Sequence, residues 1–151
     1  MVLLDRATFP RDKACSEYLS PEGVRHLDAL GVLEALDAHG MATPLHGTNV
    51  TAAYGAALAG RFANAGGAPF RPTGLSLPRR VLDASMLEAA RNAGVRVVER
   101  TTVVDIVRDS TGVVGVTARE ADATIRRWDA RAVVGADGLG SSVARRTGLR
   151  Q

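Results

Sequence analysis

The sequence AVVGADGLGSS occupies residues 132–142 and combines an apolar run, an acid, three glycines and two serines. An apolar run that ends in a glycine-rich turn predicts a buried strand of a parallel sheet leading into a helix. Glycines let the backbone approach a phosphate closely, and a helix start offers N–H donors at the positive end of its dipole. The stretch therefore predicts an α/β fold, a candidate diphosphate-binding turn at Asp137 and Gly138, and a short helix from Ser141 to about Thr147.

A second apolar run that ends in an acid lies at the other end of the chain, where Val2-Leu3-Leu4 is followed by Asp5. In doubly wound sheets the ligand binds at the carboxyl ends of the strands, where an acid can accept hydrogen bonds from ribose hydroxyl groups. A strand-terminal aspartate is also common in turns and helix caps. The residues alone leave both interpretations of Asp5 open.

Two amphipathic helices are predicted between these strand ends. The first begins after Ser20 with Pro21, continues to about Gly40, and is broken near Gly31. The second covers 79–92, with Gly94 as its C-terminal cap. The predicted apolar face of the second helix contains Leu82, Met86, Leu87 and Ala90, and its opposite face contains Arg80, Asp83, Glu88 and Arg91.

The remaining segments favour strands. Residues 47–78 contain short stretches rich in Gly, Ala, Thr and Pro, which predict strands and turns outside the first unit. Strands at 95–98 and 101–107 follow the second helix. Good turn sequences at 110–112 and 120–122 then predict a three-stranded meander that continues through 113–117 and 124–128.

Composition narrows the class of protein. The 151 residues include 19 basic and 16 acidic ones, and only 4% of the chain is aromatic, so a nucleic-acid-binding module is disfavoured. Cys15 is the only cysteine, which excludes an internal disulfide and favours a reducing, cytoplasmic location. The three histidines lack the spacing of metal ligands. No run is apolar enough for a transmembrane segment, which leaves only peripheral membrane contact.

The order of these pieces resembles a family of flavoproteins. The segment DRATFPRDKACSE at 5–17 is similar to the segment after the second strand of FAD-dependent oxidoreductases of the geranylgeranyl reductase type. These enzymes share their fold with p-hydroxybenzoate hydroxylase and other aromatic-ring monooxygenases. The sequence RRVLD at 79–83 resembles the family's R-x-x-L-D helix start, and VVGADG at 133–138 resembles its Asp-Gly motif.

The resemblance implies contacts to the adenosine and diphosphate parts of FAD. Asp5 would hold the ribose of the adenosine half, and the backbone of Val103 would meet the adenine. The turn at Asp137 and Gly138 would lie close to the diphosphate. In the related hydroxylases this turn has also been linked to NAD(P)H, which is the electron donor that the resemblance suggests.

The resemblance also implies contacts toward the flavin end of the cofactor. Cys15 and Ser16 would lie in a loop that passes near the flavin, and Arg79 would contact the cofactor from its helix start. The family often has Cys-Gly-Glu where this chain has Cys15-Ser16-Glu17, and the loss of the glycine's backbone freedom leaves the path of this loop open. A lone cysteine is otherwise a small buried hydrophobic residue.

The resemblance further implies a domain plan: an incomplete FAD-binding Rossmann-like domain of three layers, with a β-meander and part of a β-rich substrate domain. Residues 1–44 and 79–151 would belong to the FAD-binding domain, and residues 45–78 to the substrate domain. Such a domain begins with a strand and a G-x-G-x-x-G turn about 20 residues before the ribose acid. Only four residues precede Asp5, so we expect an internal slice of a flavoprotein that is inactive by itself.

The functional expectation is a region of an FAD-dependent oxidoreductase, reductase-like, acting on an isoprenoid or other apolar small molecule. A region of an FAD-dependent aromatic or polyketide monooxygenase is the first alternative. A non-catalytic remnant, or a small basic module that binds phosphate through residues 135–146, is the alternative from another class. No general acid or base can be assigned from the sequence.

Overall fold

The computed structural model describes residues 1–15, 17–38, 40–62 and 71–149. The chain divides into two compact units: Met1–Thr8 with the chain from Val95 onward, and Phe9–Gly94. Within these described ranges, no helix has the length and apolar character that crossing a membrane requires.

Ten strands and four helices are present in the described residues. In chain order the strands are β1 (Val2–Leu4), β2 (Tyr18–Leu19), β3 (Thr43–Leu45), β4 (Gly47–Thr51), β5 (Ala57–Arg61), β6 (Gly74–Ser76), β7 (Arg96–Val98), β8 (Thr102–Asp109), β9 (Gly112–Arg119) and β10 (Ile125–Asp129). The helices are α1 (Pro21–Ala29), α2 (Leu33–Ala38), α3 (Arg79–Asn92) and α4 (Ser142–Arg146).

The unit that contains both described ends of the chain has two sheets. Strands β1 and β7 pair in parallel, with Leu3 opposite Val97. Strands β8, β9 and β10 form an antiparallel meander with β9 in the middle. The predicted meander and both of its turns are confirmed. The parallel pair confirms that the apolar run before Asp5 is a strand of an α/β fold.

The unit Phe9–Gly94 contains α1, α2 and α3, a three-stranded sheet in the order β2-β6-β3, and the hairpin β4-β5. Ser20 caps α1, because its Oγ accepts a hydrogen bond from the Gly23 N–H at 3.1 Å. Gly31 adopts a φ of +69°, which few other residues tolerate, and it separates α1 from α2. The predicted helix with a break near Gly31 is therefore confirmed.

A leucine-rich core holds this second unit together. Helix α3 has the predicted bounds, and Gly94 follows it with a φ of +80°. Core side chains come from both sides of Gly31, from β6 and from the start of α3. They are Val24, Leu27, Val32, Leu33, Leu36, Leu75, Leu77, Val81 and Leu82.

Two sequence predictions about packing are wrong. Residues 132–134 form no strand, and Val134 is 87% exposed. A strand requires a hydrogen-bonding neighbour, and no described strand pairs with this run. On α3, Met86 is 41% exposed, and Val81 is buried in its place. The predicted face was therefore rotated relative to the face that packs.

The chain passes from one compact unit to the other between Thr8 and Phe9, and returns between Gly94 and Val95. These divisions differ from the predicted boundaries after residues 44 and 78, because α1, α2, β6 and α3 share one core whatever site they serve. The assignment of residues 45–78 to a substrate domain stays a prediction.

Candidate functional site

Asp5 follows the carboxyl end of β1 and is held on both sides of its backbone. Its N–H donates to the Val98 carbonyl at 3.0 Å, and its carbonyl accepts from the Thr101 N–H at 2.8 Å. The carboxylate Oδ1 accepts the Ala7 N–H at 2.7 Å. No described residue donates to Oδ2. The carboxylate is therefore fixed in place and keeps one oxygen available for a ligand hydroxyl.

Thr101 connects Asp5 to the segment that leads into Val103. Thr101 is only 2% exposed, and its Oγ1 donates to the Glu99 carbonyl at 3.1 Å. Two residues later, Val103 pairs with Ala118 in the meander, and the register shifts directly after it. Asp5 and the start of β8 therefore belong to one hydrogen-bonded arrangement. These are the two places that the resemblance assigns to the adenosine half of FAD.

Asp137 is hydrogen-bonded to the beginning of α4. Its Oδ1 accepts the Ser141 hydroxyl at 2.5 Å, and its Oδ2 accepts the Ser142 N–H at 2.6 Å and the Ser142 hydroxyl at 3.0 Å. These bonds, led by the Ser141 hydroxyl, hold the pKa of Asp137 well below its usual value. Asp137 is therefore a capping carboxylate that stays ionised.

The predicted free N–H donors at this helix start are consequently not free. Ser142 donates its N–H to Asp137, and Ala144 donates its N–H to the Ser141 hydroxyl at 2.9 Å. The adjacent Gly138 has a φ of +78°, so the turn itself requires a glycine. The turn at Asp137 and Gly138 is formed as predicted, but the N–H groups on which the phosphate interpretation relied serve the chain's own carboxylate.

The arginines of α4 are also engaged within the chain. Arg145 donates from Nη1 to the Gly140 carbonyl at 2.8 Å, and Arg146 donates from Nη1 to Asp105 Oδ1 at 3.1 Å. Such contacts tie α4 to its own turn and to β8. The phosphate-binding module that used residues 135–146 loses its main support.

The unit Phe9–Gly94 contains a second group of predicted site residues around Arg79, the first residue of α3. Arg79 donates from Nε to Asp83 Oδ1 at 3.0 Å and from Nη2 to Asp83 Oδ2 at 3.1 Å. Its pKa is raised above the ordinary arginine value, chiefly by this Asp83 contact, and the Cys15 thiol contributes in the same direction. Cys15 thus lies close enough to Arg79 to affect its charge, and the contact of either residue with a cofactor stays a prediction.

Cys15 itself is exposed, and its sulfur accepts the Glu17 N–H at 3.2 Å. It is therefore not the small buried hydrophobic residue that a lone cysteine often is. Ser16, the other predicted residue of this loop, lies outside the described residues.

Sequence reasoning missed Asp83 and Arg11. Asp83 falls on the polar face of the predicted helix, yet its side chain is only 11% exposed, and Arg11 Nη2 lies 3.5 Å from its Oδ2. The available signal was its position four residues after Arg79, the spacing at which side chains meet on a helix. The contribution of Arg11, 72 residues earlier in the chain, had no local signal.

Comparison with known proteins places the chain in a family. Residues 1–151 match the model of the FAD binding domain family, so the chain belongs to this family of flavoprotein domains, and FAD is its cofactor. Menaquinone reductase of Mycolicibacterium smegmatis is 33% identical over 116 residues, covering 74% of this chain and 26% of that protein. The chain spans about a quarter of the length of this curated relative.

Two solved structures extend the similarity to nearly the whole chain. A flavoprotein/dehydrogenase from Cytophaga hutchinsonii is 25% identical with a TM-score of 0.83, over 99% of this chain and 36% of that one. PqsL of Pseudomonas aeruginosa, described as a probable FAD-dependent monooxygenase, is 25% identical with a TM-score of 0.72, over 99% of this chain and 39% of that one. The predicted α/β fold of an FAD-binding domain is thereby confirmed.

The residues fit FAD at some positions better than at others. Asp5 offers a fixed carboxylate oxygen at a strand end, which suits a ribose hydroxyl group. Arg79 offers a cation at a helix start that no side chain caps. The beginning of α4 suits a phosphate less well, since Asp137 already occupies its donors.

Proposed function

We propose that this chain supplies FAD-binding machinery to an FAD-dependent oxidoreductase of the reductase type, similar to the geranylgeranyl reductases. The observation that carries the proposal is Asp5, fixed at the end of β1 with one carboxylate oxygen available, in a chain that matches the FAD binding domain family throughout. The similarity to a menaquinone reductase supports the reductase branch. We infer an apolar substrate of the isoprenoid quinone class and NAD(P)H as the electron donor.

Each predicted residue has a role in this proposal. Asp5 accepts a hydrogen bond from the ribose hydroxyl of the adenosine half of FAD, and the Val103 backbone borders the adenine. Arg79 provides positive charge to the nucleotide, while Cys15 and Ser16 line the path toward the flavin. The turn at Asp137 and Gly138 adjoins the diphosphate. When FAD is bound, its isoalloxazine ring supplies the redox chemistry, and the protein positions it and controls its surroundings.

The first alternative is an FAD-dependent monooxygenase of aromatic or polyketide substrates. The similarity of nearly the whole chain to PqsL favours it. Oxygen dependence separates the two functions. When the oxidoreductase to which this chain contributes is supplied with FAD and NAD(P)H, a reductase consumes NAD(P)H in the presence of a menaquinone under strict anaerobiosis, whereas a monooxygenase needs oxygen to form its product.

The cofactor site is tested by titrating FAD with the chain and measuring the quenching of flavin fluorescence as FAD binds. Asp5→Asn keeps the size of the side chain and an acceptor for the Ala7 N–H, but removes the charge. We expect it to weaken FAD binding about tenfold or more, because a hydrogen bond to a charged group contributes roughly 1.5–3 kcal/mol. Asp28→Asn, on the exposed face of α1, is the matched control and should bind FAD as the unaltered chain does.

FMN distinguishes a ribose contact from a general loss of binding, since it lacks the adenosine half. Asp5→Asn should leave FMN affinity unchanged. Equal FAD affinity in Asp5→Asn and the unaltered chain would reject the role of Asp5. A yellow monomer carrying one FAD per chain would reject the non-catalytic remnant.

A further inference from the structure

Asp83 lies between two arginines in the unit Phe9–Gly94. Arg79 approaches with a two-point contact, Nε to Oδ1 at 3.0 Å and Nη2 to Oδ2 at 3.1 Å. Arg11 approaches Oδ2 with Nη2 at 3.5 Å. The Asp83 side chain is only 11% exposed, whereas those of Arg79 and Arg11 are 25% and 30% exposed. The carboxylate is therefore the buried centre of the cluster, and the two cations face outward from it.

Arg11 is itself held firmly. Its guanidinium carbon lies 5.2 Å from the centre of the Phe9 ring, and its Nε is buried without a hydrogen-bond partner among the described residues. A buried N–H without a partner is costly, so the other contacts of Arg11 must offset this cost. Its Nη2 supports Asp83 on the side of Oδ2. Two cations against one carboxylate leave a net positive charge, which suits an anionic ligand.

The place of Arg79 on its helix also requires an explanation. Arg79 is the first residue of a 14-residue helix, where the positive end of the dipole disfavours a cation. The opposite order, with the acid nearer the helix start, is the more stabilising one for such pairs. The Arg79–Asp83 pair thus adds less to helix stability than the reverse order would. The pair instead fixes the orientation of the Arg79 guanidinium. Its Nε and Nη2 are bound to Asp83, and its Nη1 lies outside this two-point contact.

We propose that Asp83 is a positioning residue for the flavin nucleotide: supported by Arg11, it holds the Arg79 guanidinium so that Nη1 meets the cofactor in a preset orientation. This inference rests on the proposed function, because it takes Arg79 to contact FAD. Presetting a long side chain avoids the entropy that ordering it at binding would cost. Asp83 need not touch FAD for this effect.

Asp83→Asn tests the inference, because it keeps the size of the side chain and breaks the charged two-point contact. In FAD titrations we expect affinity to fall roughly two- to tenfold, as expected for ordering one long side chain. Asp83→Glu, which keeps a carboxylate, should recover most of the loss. Glu88→Gln removes an exposed carboxylate from the same helix and should change nothing. Urea unfolding of each variant measures any separate effect on stability.

A double-mutant cycle separates the outcomes. In an Arg79→Leu background, Asp83→Asn should weaken FAD binding no further, because the residue that it positions is gone. Three outcomes overturn the inference. The first is that Asp83→Asn alone binds FAD as tightly as the unaltered chain, or more tightly. The others are that Asp83→Asn causes the same loss with Arg79 present and with Arg79→Leu, or that Asp83→Glu does not recover affinity. If Arg79→Leu binds FAD like the unaltered chain, the contact of Arg79 with FAD is rejected and the inference about Asp83 falls with it, whereas the proposed function is tested separately by Asp5→Asn.

Discussion

At the scale of single residues, three aspartates illustrate how the surroundings of a carboxylate define its use. Asp137 has both oxygens hydrogen-bonded within its own turn. Asp83 contacts the guanidinium groups of both Arg79 and Arg11. Asp5 uses only Oδ1 internally. Because an ionised carboxylate accepts about four hydrogen bonds, the unused capacity of Asp5 marks it as the one suited to a ligand donor.

Asp137 therefore supports a prediction about stability. Asp137→Asn should lower the free energy of unfolding by about 1 kcal/mol at pH 7, the usual loss for a helix cap. Its pKa is depressed in the folded chain, so its contribution is complete above the unfolded value near 4 and is lost as the pH falls toward the folded value. Urea unfolding at pH 7 and pH 3 should show a smaller difference between variant and parent at pH 3. An equal difference at both values would contradict the assignment.

At the scale of elements, the β8-β9-β10 meander and the β4-β5 hairpin differ in how much apolar surface they bury. In the meander, β9 is paired on both edges, and Val116 and Ala118 are buried. In the hairpin β4-β5, every residue of β5 is exposed, and the facing pair Val50 and Leu58 is 58% and 71% exposed. A two-stranded hairpin without a buried face is marginal in water.

Hydrogen exchange of backbone amides should separate these assemblies. We expect the paired amides of 47–51 and 57–61 to exchange through local opening, far faster than those of 112–119, because little buried apolar surface is exposed when the hairpin opens. The comparison within one sample provides its own control. Equal protection of the two segments would show that the hairpin is covered in solution.

At the scale of the whole molecule, burial differs between the two compact units. In Phe9–Gly94 the large buried side chains are mostly leucines, and Leu36 is only 1% exposed. In the described residues of the other unit, Met1–Thr8 with the chain from Val95 onward, the buried residues are Val95, Thr101, Gly115, Val116, Ala118 and Ser141. These smaller side chains bury less apolar surface, so the leucine core should contribute most to the stability of the chain.

Leu36→Ala tests this distribution. We expect it to destabilise the unit Phe9–Gly94 by about 2–5 kcal/mol, the loss typical of a buried leucine whose site cannot collapse. Leu30→Ala is the control, because Leu30 is 59% exposed, and it should change the free energy of unfolding by no more than about 0.5 kcal/mol. Urea unfolding followed by far-UV circular dichroism measures both. Similar losses in the two variants would contradict the proposed core.

Much of the local structure could be predicted from the sequence, because its causes lie within a few residues. Ser20 and Pro21 begin α1, Gly31 breaks the helix, and Gly94 ends α3, each through its own backbone preference or cap. The meander follows from alternating β-branched residues and two turn sequences. The FAD-binding character followed from the order of several motifs along the chain, which the family match confirms.

Only the tertiary structure decided which groups meet across long separations and which remain free. The sequence identifies Asp5, Asp83 and Asp137 as acids, but their partners depend on pairing between distant segments and on side-chain rotamers. The apolar run 132–134 lacks a pairing strand in the described residues, so composition alone predicted a strand wrongly. Local preferences are short-ranged and additive, whereas carboxylate partners and strand pairing are settled by packing over the whole chain.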